Sequence, residues 1–401
     1  MTRVVVLGGG YGGLRAIEGL QKNEDIEVTL VDQNPYHYMQ TEAYSYIAGK
    51  SDIHDIAIDL KSWCEGFSRV SFVQTKVLSI NFESKIVLSE NENIEYDYVI
   101  VATRARTNFF SFIKGLREHS YGVKFLNRAY NFRNEFEDLL YNKLNLKHTD
   151  ENAPINIAIG GAGLSGVEVA AEMAYVVKEY GKTIGERSKD INIYLIDASD
   201  TILPGNSSYV IKNTQKRLKK LGVNILTNAF ISEVDDSKIS FKEGDDLEYC
   251  FMIFTGGIKA APLNESIECK KNRLNQLIVS NTLNIGTYKN ALAVGDCIEV
   301  KDENGNILPP TAQIAERSAE YAAQAIISRL KGEDLEPFNA NVMGMFIALG
   351  GKYAVGEMFD FIKVSGYKAY LLKKAITYAY YLGLKLRINT GFKNRIKKNI
   401  T

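Results

Sequence analysis

The chain has 401 residues, 45% of them hydrophobic, enough for two or three packed domains. Lys plus Arg (48) balance Asp plus Glu (48), so no global charge points to nucleic acid, and four scattered cysteines without a CxxC exclude a disulfide framework and a zinc site. No apolar signal core opens the chain and no run reaches the roughly 18–20 apolar residues of a bilayer span, so a soluble cytoplasmic protein is expected.

Arg3-Val-Val-Val-Leu-Gly8 is a short apolar run that suits a strand buried on both faces. A glycine cluster follows, then a helical pattern to about Leu20 and a second strand, Glu27-Val-Thr-Leu-Val-Asp32. Short strands are expected at Val70–Val77, Lys85–Leu88 and Tyr96–Val101. The plan then repeats: strand Ile155–Gly160, glycines, a longer helix, and strand Asn192–Asp197. Further short strands are expected at Val223–Leu226, Lys238–Phe241 and Cys250–Phe254. Each repeat reads as a βαβ unit, whose crossover helix implies parallel strands. The expected fold is α/β, with two interleaved Rossmann-like dinucleotide-binding domains and a C-terminal membrane-associating helical region. The expected boundaries are 1–115 with 280–340 for the first domain, 116–279 for the second and 341–401 for the last.

Both repeats carry G-x-G-x-x-G, as Gly8, Gly10 and Gly13 and as Gly161, Gly163 and Gly166. The first glycine permits the tight turn, the second lets backbone approach a pyrophosphate, and the third lets helix lie close on strand. The helix N-terminus then offers free N–H groups to phosphates. Asp32 and Asp197 close the second strands, where a carboxylate can accept ribose hydroxyls. Asp197 would repel a 2′-phosphate, and Ala198-Ser199-Asp200 has no arginine to receive one, so NADH is favoured over NADPH. Later, Asn290–Gly295 forms an apolar strand ending at Asp296, and Pro309-Pro-Thr-Ala-Gln313 opens a helix to Leu330. An Asp there can hold a ribityl hydroxyl, while the helix N-terminus stabilises charge on a reduced flavin.

With these motifs the chain resembles the type II NADH:quinone oxidoreductases, within the FAD/NAD-linked disulfide-reductase superfamily. The matching stretches include Val31-Asp-Gln-Asn-Pro-Tyr-His37, Tyr96-Asp-Tyr-Val-Ile-Val-Ala-Thr103 and Gly160-Gly-Ala-Gly-Leu-Ser-Gly-Val-Glu168-Val-Ala-Ala-Glu172. Phe254-Thr-Gly-Gly-Ile-Lys, Leu349-Gly-Gly-Lys-Tyr-Ala-Val-Gly356 and the segment Leu382–Lys393 extend the likeness nearly end to end. The resemblance implies non-covalent FAD, NADH as donor, a membrane quinone as acceptor and no proton pumping. It places Gly8, Gly10, Tyr11, Gly12, Gly13, Asp32, Gln33, Val77, Ala102, Thr103, Gly295, Asp296 and Ala312 with FAD. Gly161, Gly163, Leu164, Gly166, Asp197 and Gly256 fall to NADH, and Glu172 and Gln313 are the catalytic candidates, Glu172 in a proton relay.

Three departures from the family pattern stand out. Arg104 replaces a glycine after Ala102-Thr103, and either reaches a phosphate or weakens FAD binding. Arg317 replaces the last glutamine of A-Q-x-A-x-Q, which leaves the acceptor open, and Gln40-Thr41-Glu42 is more polar than Gln-Pro-Leu. A sulfide:quinone oxidoreductase would need a cysteine pair at the flavin, and Cys297 has no obvious partner. A flavin-binding sensor that has lost turnover is the other alternative.

After Asp360 the chain has ten basic residues and no acidic one. Val364, Tyr367, Leu371, Ala375, Tyr378, Leu382 and Leu386 recur at helical spacing, with most cations off that stripe. Such a helix over 364–398 can lie in a membrane interface, which suggests peripheral attachment at the cytoplasmic face. The alternative is packing on the protein's own core or on a second copy in a homodimer.

Overall fold

The computed structural model describes residues 1–145, 154–184, 190–359 and 361–398, with backbone only at 139–145, 183–184 and 389–398. Strand β1 (Thr2–Leu7), helix α1 (Tyr11–Leu20) and strand β2 (Ile26–Asp32) form the first βαβ unit, with β1 and β2 parallel in register Thr2↔Ile26 to Leu7↔Val31. Strand β3 (Val70–Gln74) pairs with β2, and β4 (Tyr98–Val101) with β1. A fifth strand, Ala291–Ala293, pairs with β4 from almost two hundred residues downstream. All five run parallel, and Val4, Val6, Leu30, Val99 and Leu292 are buried because layers cover both faces of the sheet.

The second unit repeats this with β5 (Ile155–Gly160), helix α2 (Leu164–Ile184) and β6 (Ile191–Ile196). Strands β7 (Asn224–Leu226) and β8 (Phe251–Phe254) complete a parallel sheet of order β7-β6-β5-β8. Asp197 lies one residue beyond the end of β6 rather than within it, and its N–H still bonds Leu226 O.

Helix α3 (Ala312–Lys331) is capped by Thr311, whose side chain accepts from Ile314 N, and it packs on α1. The contact uses small residues: a Cβ on Gly19 would stand 2.6 Å from Ala323 Cβ. This close pairing sets the first glycine turn directly over the N-terminal end of α3.

The C-terminal region differs from the expected helical region at its start. It opens with an antiparallel sheet of β9 (Gly344–Ala348), β10 (Ala354–Met358) and β11 (Ile362–Gly366). Val364 therefore belongs to β11, and helix α4 runs from Tyr367 to Lys398. Hydropathy spacing alone could not separate the strand because Val364 falls in phase with the helix that follows. Asp360, residues 399–401 and the side chains of Lys393, Arg395, Lys397 and Lys398 lie outside the described residues.

Helix α4 docks through a mixed face. Lys373 Nζ reaches Glu168 at 2.7 Å, Lys374 Nζ reaches Glu42 at 2.8 Å, and Thr377 Oγ1 donates to Glu42 Oε1 at 3.1 Å. Tyr380 bonds His37, Leu384 is buried, and the Arg387 guanidinium stacks 4.3 Å over Phe67. The apolar stripe read from the sequence faces the other way: Tyr367, Leu371, Ala375, Tyr378, Leu382 and Leu386 are all exposed. The alternative of packing this stripe on the protein's own core is thus not realised.

Candidate functional site

The two glycine turns are built alike. Gly8 and Gly161 adopt φ of +111° and +98°, where a side chain is strained. A Cβ on Gly8 would lie 2.5 Å from Ala102 O, and one on Gly161 would lie 2.5 Å from the Gly256 backbone. The third glycines bring each helix onto its turn, since a Cβ on Gly13 would lie 1.8 Å from Gly8 O and one on Gly166 would lie 1.9 Å from Gly161 O. Any larger residue would push the helix off the strand.

Each turn is tied to its carboxylate. Asp32 Oδ2 accepts from Gly9 N at 2.7 Å and Asp197 Oδ2 accepts from Ala162 N at 2.5 Å. The remaining lone pairs of a carboxylate stay available to ribose hydroxyls.

Beside the first turn is a cavity of about 260 Å3. It is lined by Gly8, Asp32, Gln33, Val77 and Thr103, all named from the sequence, and also by Thr75, Lys76, Arg104, Arg106 and Leu263, which were not all foreseen. Buried Thr75 Oγ1 has no hydrogen-bond partner among the described residues, so this cavity-lining residue has a polar group free for a bound molecule. The Asp296 side chain accepts no hydrogen bond from the described residues, in the short helical turn Gly295–Cys297 whose Gly295 has φ +73°. Gly12 sits over Ala315, one turn from Ala312, with 3.3 Å between a would-be Cβ and Ala315 O. These are the features a flavin dinucleotide needs, namely a Cβ-free pyrophosphate turn, a ribose carboxylate and an unclaimed aspartate.

On the C-terminal side of the turn, His37 is fully buried, with Nδ1 2.9 Å from Gly9 O and Nε2 3.1 Å from the Tyr380 hydroxyl. Burial, with Arg104 adding to it, lowers the imidazole to about 3. It is therefore neutral, with Nδ1–H donating to Gly9 O and Nε2 accepting from Tyr380. The Tyr11 hydroxyl bonds Thr41 at 2.8 Å, and its ring lies 5.0 Å from those of both His37 and Tyr380.

Glu172 is buried on α2, ion-paired with Lys50, and accepts from Gly351 N at 3.2 Å. Gln313 is on the first turn of α3, its Oε1 accepting from Met343 N at 2.8 Å. No direct contact joins the two among the described residues. Glu168, one helical turn before Glu172, is half-buried and ion-paired with Lys373, and desolvation raises its carboxyl despite that lysine. The partners Lys50, Lys373 and Lys374 escaped sequence reasoning because no local pattern signals them: Glu42 and Lys374 are 332 positions apart. The polar segment Gln40-Thr41-Glu42 was the one available hint. Arg317 is exposed and reaches Met343 Sδ at 3.6 Å. The four cysteines are all free, and burial pushes the Cys297 thiol up to about 12.

Residues 2–319 match the pyridine nucleotide-disulphide oxidoreductase family. The chain is 30% identical over 390 residues to a type II NADH:quinone oxidoreductase of Staphylococcus aureus (strain MSSA476), covering 93% of this chain and 94% of that protein. This chain belongs to the type II NADH:quinone oxidoreductases. Among solved structures, NDH2 from Plasmodium falciparum in complex with NADH superposes with a TM-score of 0.86 at 20% identity, over 99% of this chain and 98% of that one. The sulfide:quinone oxidoreductase of Aquifex aeolicus gives 0.82 at 18% identity, over 99% and 94%. At these identities both show the fold alone.

Proposed function

We propose that the chain oxidises NADH and reduces a quinone, without proton pumping, while attached peripherally to the cytoplasmic face of a membrane. The observation that carries the reading is the pair of complete cradles, each with its own carboxylate, in a chain of this family. When bound, FAD supplies the chemistry that takes hydride from NADH and passes two electrons on to quinone. The protein's own work is to bind, orient and exclude water. Gly8, Gly10, Gly13, Asp32 and Asp296 would hold FAD, and Gly161, Gly163, Gly166, Asp197 and Gly256 would hold NADH. Quinone reduction also takes up two protons, and Glu172 with Lys50 is assigned to their delivery. Residues 1–115 with 280–340 serve as the FAD-binding domain and 116–279 as the NADH-binding domain.

Membrane attachment is supported by the outward apolar face of α4, where Ile376 is 58% and Tyr378 62% exposed, beside Phe361 at 75%. No helix among the described residues is long and apolar enough to cross a membrane. Cys297 is the last cysteine in the sequence and has no obvious partner, which disfavours sulfide as donor.

The test is anaerobic. NADH added to the purified protein should bleach the flavin band near 450 nm (roughly; a generic flavin property), and a short-chain quinone should restore it. Bleaching without recovery would point to another acceptor and to Arg317. Flavin left untouched by NADH would favour a sensor that has lost turnover.

A further inference from the structure

We infer that Arg104 is a pyrophosphate ligand of the FAD site, a side-chain cation added to a turn that is otherwise backbone alone. The inference rests on the flavin reading above and adds to it a residue that departs from the family's glycine.

The internal repeat shows what is unusual. In the first sheet Leu7 pairs with Val101, and in the second Gly160 pairs with Phe254. Three residues beyond each partner are Arg104 and Gly257, so the second unit has a glycine where the first has arginine. The effect appears at the middle glycine of each turn. A Cβ built on Gly163 meets nothing within 4 Å, whereas one on Gly10 meets Arg104 Cγ and Nε at 3.5 Å. The arginine stem therefore crosses the face of the first turn that is left open in the second.

The guanidinium is held but not neutralised. Its Nη2 donates to Gly9 O at 3.1 Å and to Tyr36 O at 3.5 Å, both uncharged acceptors. No carboxylate comes within ion-pair distance of it among the described residues. Asp32, which lines the same cavity, is already committed to Gly9 N, Asn34 N and Asn34 Nδ2. Arg106, further along the cavity wall, is paired with Glu265 at 2.7 Å. Arg104 is thus a half-buried cation without a counter-ion, facing a turn shaped for a pyrophosphate and lining its cavity. A planar guanidinium suits phosphate oxygens, and a half-buried charge without a partner is costly unless a ligand completes it.

The experiment uses holoenzyme of the wild type, R104Q, R104K and R104G. FAD release on dilution is followed by the rise in flavin fluorescence, and FAD rebinding is competed with ADP and with adenosine. NAD+ affinity at the second cradle serves as a control for folding. R104Q and R104G should hold FAD about 10- to 100-fold more weakly, with R104K between them and the wild type. ADP should lose its advantage over adenosine as competitor in R104Q, and NAD+ affinity should be unchanged. FAD held as tightly or more tightly in R104Q and R104G would overturn the assignment, as would equal weakening of ADP and adenosine. Wild-type protein that carries no flavin would overturn the flavin reading as well, which separates the two failures.

Discussion

Asp32 and Asp197 make the same two bonds in the two βαβ units. One oxygen of each accepts an amide inside its glycine turn, Gly9 N at 2.7 Å and Ala162 N at 2.5 Å. The other accepts the amide two residues on, Asn34 N at 2.8 Å and Ser199 N at 2.8 Å. Each carboxylate is therefore held in position beside its glycine turn, and on the proposed function its negative charge would select against a ribose phosphate.

That selection can be measured at Asp197. Asp197→Asn keeps one oxygen for Ala162 N but removes the charge that opposes a 2′-phosphate. The ratio of kcat/KM for NADH to that for NADPH should fall by about tenfold, the effect of roughly 1.4 kcal/mol of lost repulsion. An unchanged ratio would show that Asp197 only braces the turn.

The two turns can also be disabled one at a time. Gly13→Ala places a methyl 1.8 Å from Gly8 O, and Gly166→Ala places one 1.9 Å from Gly161 O. Purified G13A should come without flavin. G166A should keep its yellow colour and lose NADH binding, measured by flavin bleaching against NADH concentration. If G166A bleaches at the wild-type NADH concentration, the second cradle is not the NADH site.

Glu316 gives a pH prediction. It lines a cavity with Tyr11, Arg15, Glu18 and Tyr380, and burial raises its carboxyl to about 7. Glu18 and Glu320 push in the same direction, while Arg15 and Arg317 oppose them. Because the folded value lies above the unfolded one, this group's contribution to stability is complete below the ordinary carboxyl range and is lost as pH rises to about 7. Melting temperatures of the wild type should fall over that window, and E316Q should flatten the fall. Parallel profiles for the two proteins would remove Glu316 as the cause.

The outer face of α4 can be tested with vesicles. Leu371, Ile376 and Leu386 are 47%, 58% and 51% exposed, so serines there remove apolar surface without opening the core. The triple variant should lose most of its co-sedimentation with anionic vesicles, at about 1 kcal/mol or more per side chain. NADH oxidation with a soluble quinone should stay near wild type. Undiminished co-sedimentation would assign membrane contact to another surface.

Much of this site was legible in the chain itself. The glycine turns, their strands and their closing aspartates are local features, since a tight turn, a helix N-terminus and a buried strand each impose residue choices within a few positions. The αβ order of Gly8–Asp32 and of Gly160–Asp197 could therefore be read directly. So could the amphipathic period of the last helix, although β11 at its start could not, because Val364 is in phase with the stripe.

Tertiary structure alone decided which residues complete these local pieces. Lys374 meets Glu42, Lys373 meets Glu168, and Lys50 meets Glu172, each pair joining elements far apart in sequence. Burying a carboxylate demands a partner, but the demand does not say where along the chain that partner lies. Direction was undecided in the same way. The period of α4 defined an apolar stripe, and only the packing of Lys373, Thr377, Tyr380 and Leu384 turned that stripe outward. For Arg104 the sequence marked a broken glycine rule, and the fold laid the guanidinium across Gly10. Local sequence sets which conformations a segment can adopt, and long-range contact sets which of its faces and charges are used.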